Sequence, residues 1–133
     1  KESTSQMESI NIEGTPKTPT VKFDSLSGVL VIRGRSIPEN SIDFYKPLID
    51  WLDAYANGNG EGLTLNMELE YFNTSSSKCI LDVFKKLENI SKQGKTISVK
   101  WHYEEDDEDM LEAGEDYDAI IDIAFEMVKV EEI

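Results

Sequence analysis

The chain has one cysteine, Cys79, and one histidine, His102. A lone cysteine excludes an intrachain disulfide and fits a reducing, cytoplasmic compartment. With a single histidine there is no Cys/His ligand spacing for zinc, and no nucleophile motif to make His102 a catalytic base. A Gly-rich phosphate loop and a Gly-x-Ser-x-Gly elbow are also missing, so no cofactor and no enzymatic activity are expected. No apolar run approaches the roughly 18 residues of a membrane helix, and no signal-peptide pattern is present. Basic residues are scarce, with 13 Lys and Arg against 27 Asp and Glu. The resulting charge of −14 disfavours nucleic acid and anionic membranes as partners, because both would be repelled.

What is present begins with length. A chain of 133 residues is one domain, large enough to bury a core without staples. Residues 1–6 are polar and precede Met7, which reads as a native start. They are expected to be a cloning remnant, with residues 7–133 the domain. The negative charge is concentrated: ten of the fourteen net charges fall within residues 104–118, which contain no Lys or Arg. That run lacks the Asp-x-Asp-x-Asp-Gly spacing that wraps a loop around calcium. It reads as a solvated acidic helix or as a recognition surface for a basic partner.

Periodicity outlines the fold. A short first strand at 10–12 is followed by a hairpin of strands 20–24 and 29–33 around the turn Ser25-Leu-Ser-Gly28. Pro38, Glu39, Asn40 and Ser41 signal a helix start, and Ile42, Tyr45, Leu48, Ile49, Leu52 and Tyr55 form its apolar stripe. Pro47 lies inside the stripe, so a kink or break is expected, with the helix proper beginning near it. Asn57-Gly-Asn-Gly60 stops it. Leu63, Leu65, Met67, Leu69 and Tyr71 then alternate with polar residues in a strand at 62–72. Cys79, Ile80, Val83, Phe84, Leu87 and Ile90 follow at helical spacing, predicting a helix from about 76 to 92. Cys79 is expected to be a small buried hydrophobe. Strand 97–103 places His102 on its polar side as a surface residue. A short helix at about 107–117 and a last strand at 124–130 close the chain.

Strand–helix alternation implies parallel pairing. Clean alternation in the central strands argues for helices on one face mainly, since strands covered on both faces read as continuous apolar runs. The fold class is therefore α/β (α+β), with one mixed sheet of five to six strands.

The corner between strand 62–72 and the next helix carries four consecutive hydroxyls, Thr74 to Ser77. Asn, Thr and Ser are preferred N-caps, so the cluster has a purely structural explanation. Placed beside the positive end of a helix, it also suits a phosphate of about −1.5 to −2 charge.

Three motifs taken in order, Arg33-Gly-Arg-Ser-Ile-Pro-Glu-Asn-Ser41, Glu70-Tyr-Phe-Asn-Thr-Ser-Ser-Ser-Lys78 and Trp101-His-Tyr-Glu-Glu-Asp-Asp-Glu-Asp-Met110, resemble the SiaC family of bacterial regulatory phosphoproteins. The resemblance runs from about Ile10 to Val130. It implies a fold like that of anti-sigma-factor antagonists. It also implies a phosphoacceptor at Thr74, a dedicated Ser/Thr protein kinase, a PP2C-type phosphatase, and an effector such as a diguanylate cyclase in cyclic di-GMP signalling. Under that reading Arg33, Arg35, Glu39, Asn40, Asn73, Ser75 and Ser76 are the candidate partner-binding residues. Arg33-Gly-Arg35 and Glu39-Asn-Ser41 are expected at a second strand-to-helix corner beside Thr74, where Arg35 or Asn40 could reach it. The competing readings are a passive acidic interaction module indifferent to phosphorylation and, less favoured, a small enzyme.

Overall fold

Crossover handedness dictates this architecture. In the computed structural model, which describes residues 9–133, the elements are β1 (Ile10–Ile12), β2 (Thr20–Asp24), β3 (Val29–Ser36), α1 (Ser41–Ala56), β4 (Gly62–Phe72), α2 (Thr74–Lys92), β5 (Thr96–Glu104), α3 (Glu108–Ile120) and β6 (Ala124–Val130). The cloning remnant expected at 1–6 and the native start expected at Met7 lie outside the described residues.

The six strands form one sheet in sequence order, antiparallel from β1 to β3 and parallel from β3 to β6. Each parallel step advances in the same direction, so right-handed crossovers put all three helices on one face. Burial follows suit. Leu63, Leu65, Met67 and Leu69 of β4 are buried against the helices, while the residues between them are half-exposed on the other face. This is the one-layered mixed α/β sheet that the alternation implied.

The core lies between sheet and helices. Its most deeply buried side chains include Trp101, Tyr45, Phe23, Phe84, Leu30 and Ile32. Cys79 is buried there as expected.

Five local expectations need correction. The first helix does not begin near Pro47; it starts at Ser41 and runs through the proline. Asn40 sets that start, accepting the Asp43 N–H at 3.1 Å. Pro47 and Asp43 are both exposed, so water can serve the Asp43 carbonyl that the proline leaves without its helical partner. The second helix begins at Thr74, two residues before the expected start, because Asn73 caps it.

The strand expected at 29–33 continues to Ser36. Its pairing with β4 shifts between Gly34 and Arg35, where one extra β4 residue is accommodated, and Gly34 there adopts φ +112°, a conformation that favours glycine. The slip reverses the alternation at the end of β4. Tyr71 is 56% exposed on the open face, not on the apolar one, and Phe72 turns inward to meet Trp101 edge-on at 6.1 Å. Finally, His102 is half-buried, and its Nε2 is out of solvent with no hydrogen-bond partner.

Candidate functional site

The four hydroxyls at the start of α2 are not equivalent, and the fold separates them. Asn73 is extended (φ −87°, ψ 174°) and its side chain accepts the Ser76 N–H at 2.9 Å. Thr74 is thus the first helical residue and Asn73, not Thr74, is the cap. Thr74 is exposed, and its hydroxyl has no hydrogen-bond partner among the described residues. Ser75 is exposed but doubly held: its hydroxyl donates to Asn73 Oδ1 at 3.2 Å and lies 2.7 Å from Ser41 Oγ. Ser76 is fully buried. Ser77 turns back to donate to the Thr74 carbonyl at 2.6 Å.

Behind them runs a buried hydroxyl network that joins three elements. Ser76 Oγ donates to the Ser36 carbonyl at 3.0 Å and accepts from Ser36 Oγ at 2.9 Å. With its own proton committed, Ser36 Oγ accepts from Tyr45 OH at 2.7 Å. Ser41 Oγ lies 3.3 Å from Ser76 Oγ. The Asn73 N–H donates to the Ser36 carbonyl at 3.0 Å, tying the same point from the backbone. The starts of α1 and α2 are thereby fastened to the end of β3. Burial, the largest cause, pushes the Tyr45 hydroxyl up to about 12. Of this network the sequence singled out only Ser76 and, through the motif, Ser41. Ser36 and Tyr45 were missed because serine and tyrosine signal no network until the chain is folded.

The second corner is assembled differently from the expectation. Asn40 and Glu39 are exposed at the start of α1. Asn40 is engaged with Asp43, donating Nδ2–H to Oδ2 at 2.9 Å. Arg33 and Arg35 are not at the corner. They lie within β3, on the sheet face opposite the helices, where they pair with Glu68 at 3.6 Å and Glu70 at 3.9 Å. The longer β3 accounts for this displacement. Neither Arg35 nor Asn40 bonds to Thr74. The residues brought together are Asn40, Ser41, Asn73, Thr74, Ser75 and Ser76.

Charge is also distributed unevenly among the helix starts. Asp43 lies in the first turn of α1, and Glu108 with Asp109 in that of α3, but α2 has no acid in its first turn. Its positive dipole end is left uncompensated in a chain of −14.

The acidic helix α3 is docked, not merely solvated. Met110, Gly114 and Tyr117 form its buried stripe. Trp101 Nε1–H donates to the Met110 carbonyl at 2.9 Å, and Tyr117 OH donates to the Ser77 carbonyl at 2.8 Å. A Cβ at Gly114 would sit 2.5 Å from Trp101 Cδ1, so only glycine permits this approach. Asp107 caps the helix by accepting the Met110 N–H at 3.0 Å. Burial raises the Tyr117 hydroxyl above its ordinary range. Among the described residues no group of three or more His, Cys, Asp or Glu is placed to hold a metal ion. No described helix is long and apolar enough to cross a membrane.

Comparison with known proteins decides the family. The SiaC family regulatory phosphoprotein profile matches residues 12–130, which contain every element from Thr74 to the acidic helix. The chain belongs to the SiaC family. Among its relatives is an uncharacterised protein of Pseudomonas aeruginosa, 34% identical over 111 residues, covering 84% of this chain and 88% of that one. The structure of SiaC of Pseudomonas aeruginosa superposes with a TM-score of 0.87 at 31% identity, over 93% of this chain and 100% of that one. The same TM-score and identity hold for SiaC in a crystal structure of the diguanylate cyclase SiaD in complex with its activator SiaC from Pseudomonas aeruginosa, over 91% of this chain and 99% of that one. A SiaC family chain of this fold is therefore known as the activator of a cyclase.

Proposed function

We propose that this SiaC family protein is a non-enzymatic, cytoplasmic switch that activates a diguanylate cyclase when unphosphorylated and is turned off by phosphate on Thr74. A Ser/Thr kinase adds the phosphate and a PP2C-type phosphatase removes it. The observation that carries the proposal is the state of Thr74: exposed, without a hydrogen-bond partner among the described residues, and first in a 19-residue helix. Its neighbours differ. Ser76 is buried, Ser75 is bonded on both sides, and Ser77 is folded back.

The switch acts through charge. Phosphate adds about −1.5 to −2 at a helix start with no acid of its own, so the free protein tolerates it. A partner that covers the corner must desolvate a dianion without a matching cation, which costs about 3–5 kcal/mol when the charge is left unpaired. Mapping phosphopeptides of the protein purified from its native host tests the site. Phosphate on Thr74 is expected; phosphate on Ser75, Ser76 or Ser77 with Thr74 unmodified contradicts the proposal.

A further inference from the structure

Ser75 is the puzzle at this corner. It is exposed, adjoins Thr74 in the first turn and carries a competent hydroxyl, so exposure alone does not explain a preference for Thr74. What distinguishes it is a contact across the helix pair. Ser75 Oγ donates to Asn73 Oδ1 at 3.2 Å, so the 2.7 Å contact with Ser41 Oγ is one in which Ser41 donates and Ser75 accepts. Both the proton and an acceptor lone pair of Ser75 are therefore engaged. Ser41 is itself 4% exposed at the first position of α1, and its oxygen lies against the buried network, 3.3 Å from Ser76 Oγ. The clamp thus sits beside the buried network that ties both helices to β3, and the burial of Ser41 keeps it in place.

We infer that Ser41 is a positioning residue that withholds Ser75 from the kinase and so directs phosphate to Thr74. Phosphorylation forms a bond from the hydroxyl oxygen to the γ-phosphorus of ATP, breaks the bond to departing ADP, and passes the hydroxyl proton to the base of the kinase. The oxygen must present a free lone pair in line with that bond. Thr74 Oγ1 has nothing to break first. Ser75 must rotate away from two partners, leaving Ser41 and Asn73 to find water. The inference rests on the switch reading for its kinase, but the clamp itself is a property of the unmodified protein and can be measured without one.

The experiment has two arms. In the first, the wild type, Thr74→Ala, Ser41→Ala/Thr74→Ala and Ser41→Thr/Thr74→Ala proteins are incubated with ATP and the Ser/Thr kinase of the host, and phosphopeptides are mapped. Thr74→Ala is expected to take little phosphate. Ser41→Ala/Thr74→Ala should take about five- to tenfold more, on Ser75, the weight of one net hydrogen bond. Ser41→Thr, which keeps the hydroxyl, should return incorporation toward the low level, a rescue that loosened packing would not give. Equal incorporation into Ser75 with and without the Ser41 hydroxyl overturns the inference. In the second arm, side-chain couplings of Ser75 are measured by NMR without kinase. A single χ1 rotamer is expected in the wild type and averaging in Ser41→Ala, whereas averaging in the wild type overturns the clamp. A wild type that takes no phosphate at Thr74 sinks the switch reading instead, and the couplings then decide the clamp alone.

Discussion

Replacing Asn73 and Thr74 separately by alanine distinguishes the helix cap from the acceptor. Asn73 Oδ1 accepts the Ser76 N–H at 2.9 Å and the Ser75 hydroxyl at 3.2 Å, so Asn73→Ala removes the cap of a 19-residue helix. Loss of an N-cap costs about 0.5–2 kcal/mol, and the released Ser75 hydroxyl, being exposed, adds little because water replaces Asn73. Thr74 makes no hydrogen bond through its side chain and is exposed. Alanine is the better helix former by up to roughly 0.7 kcal/mol, so Thr74→Ala should be neutral or slightly stabilising. Urea unfolding followed by circular dichroism, with slopes of about 1–3 kcal/mol/M, resolves the difference if both variants keep the wild-type slope. A cost above about 1 kcal/mol for Thr74→Ala with no cost for Asn73→Ala would return the capping role to Thr74 and refute the reasoning.

Further outcomes follow from the same structure. Gly114→Ala places a Cβ 2.5 Å from Trp101 and 2.7 Å from the Met127 methyl; overpacking of about 1–3 kcal/mol outweighs a helix-propensity gain of about 1, so the melting temperature should fall, and a rise would contradict the docking of α3. Tyr45, with its hydroxyl pushed up to about 12, is neutral when folded at a pH where the unfolded chain already ionises. Its stabilisation is complete below pH 10 and is lost as pH rises toward 12, at up to about 1.4 kcal/mol per unit; Tyr45→Phe should flatten that decline in urea unfolding, and an unchanged slope would deny Tyr45 the effect. Thr74→Asp should weaken effector binding only partly, since a carboxylate has one charge and a different shape, and full affinity for Thr74→Asp would count against a charge mechanism. Changing Asp106 and Asp109 to Asn and Glu112 to Gln should slow association with a basic partner at low salt and leave dissociation alone. Asp107 is kept, because it caps α3; unchanged association rates would leave the run as a solvated face.

Most of the fold was legible because its strands have one apolar face and one polar face. That pattern in β4 and β5, read with the strand–helix alternation, was enough to place the helices on one side. The failures have local causes. Pro47 looked like a helix breaker, but it and Asp43 both lie on the exposed side of the helix, which the pattern cannot show. The bulge near Gly34 turned Tyr71 outward and Phe72 inward, since a one-residue slip in a strand exchanges its faces. It also accompanied the extension of β3 that carried Arg33 and Arg35 away from the corner. At the site, Thr74 was singled out by its motif as a candidate, whereas Ser36 and Tyr45 entered only through contacts reaching 40 and 9 residues along the chain.

Control by phosphate is decided by the affinity of the host's diguanylate cyclase for this protein, unphosphorylated and stoichiometrically phosphorylated on Thr74, measured by calorimetry at fixed salt. A phosphate buried without a matching cation costs about 3–5 kcal/mol, so affinity should be at least roughly a hundredfold weaker for the phosphorylated form. Equal affinity of the cyclase for the two forms would contradict control by phosphate.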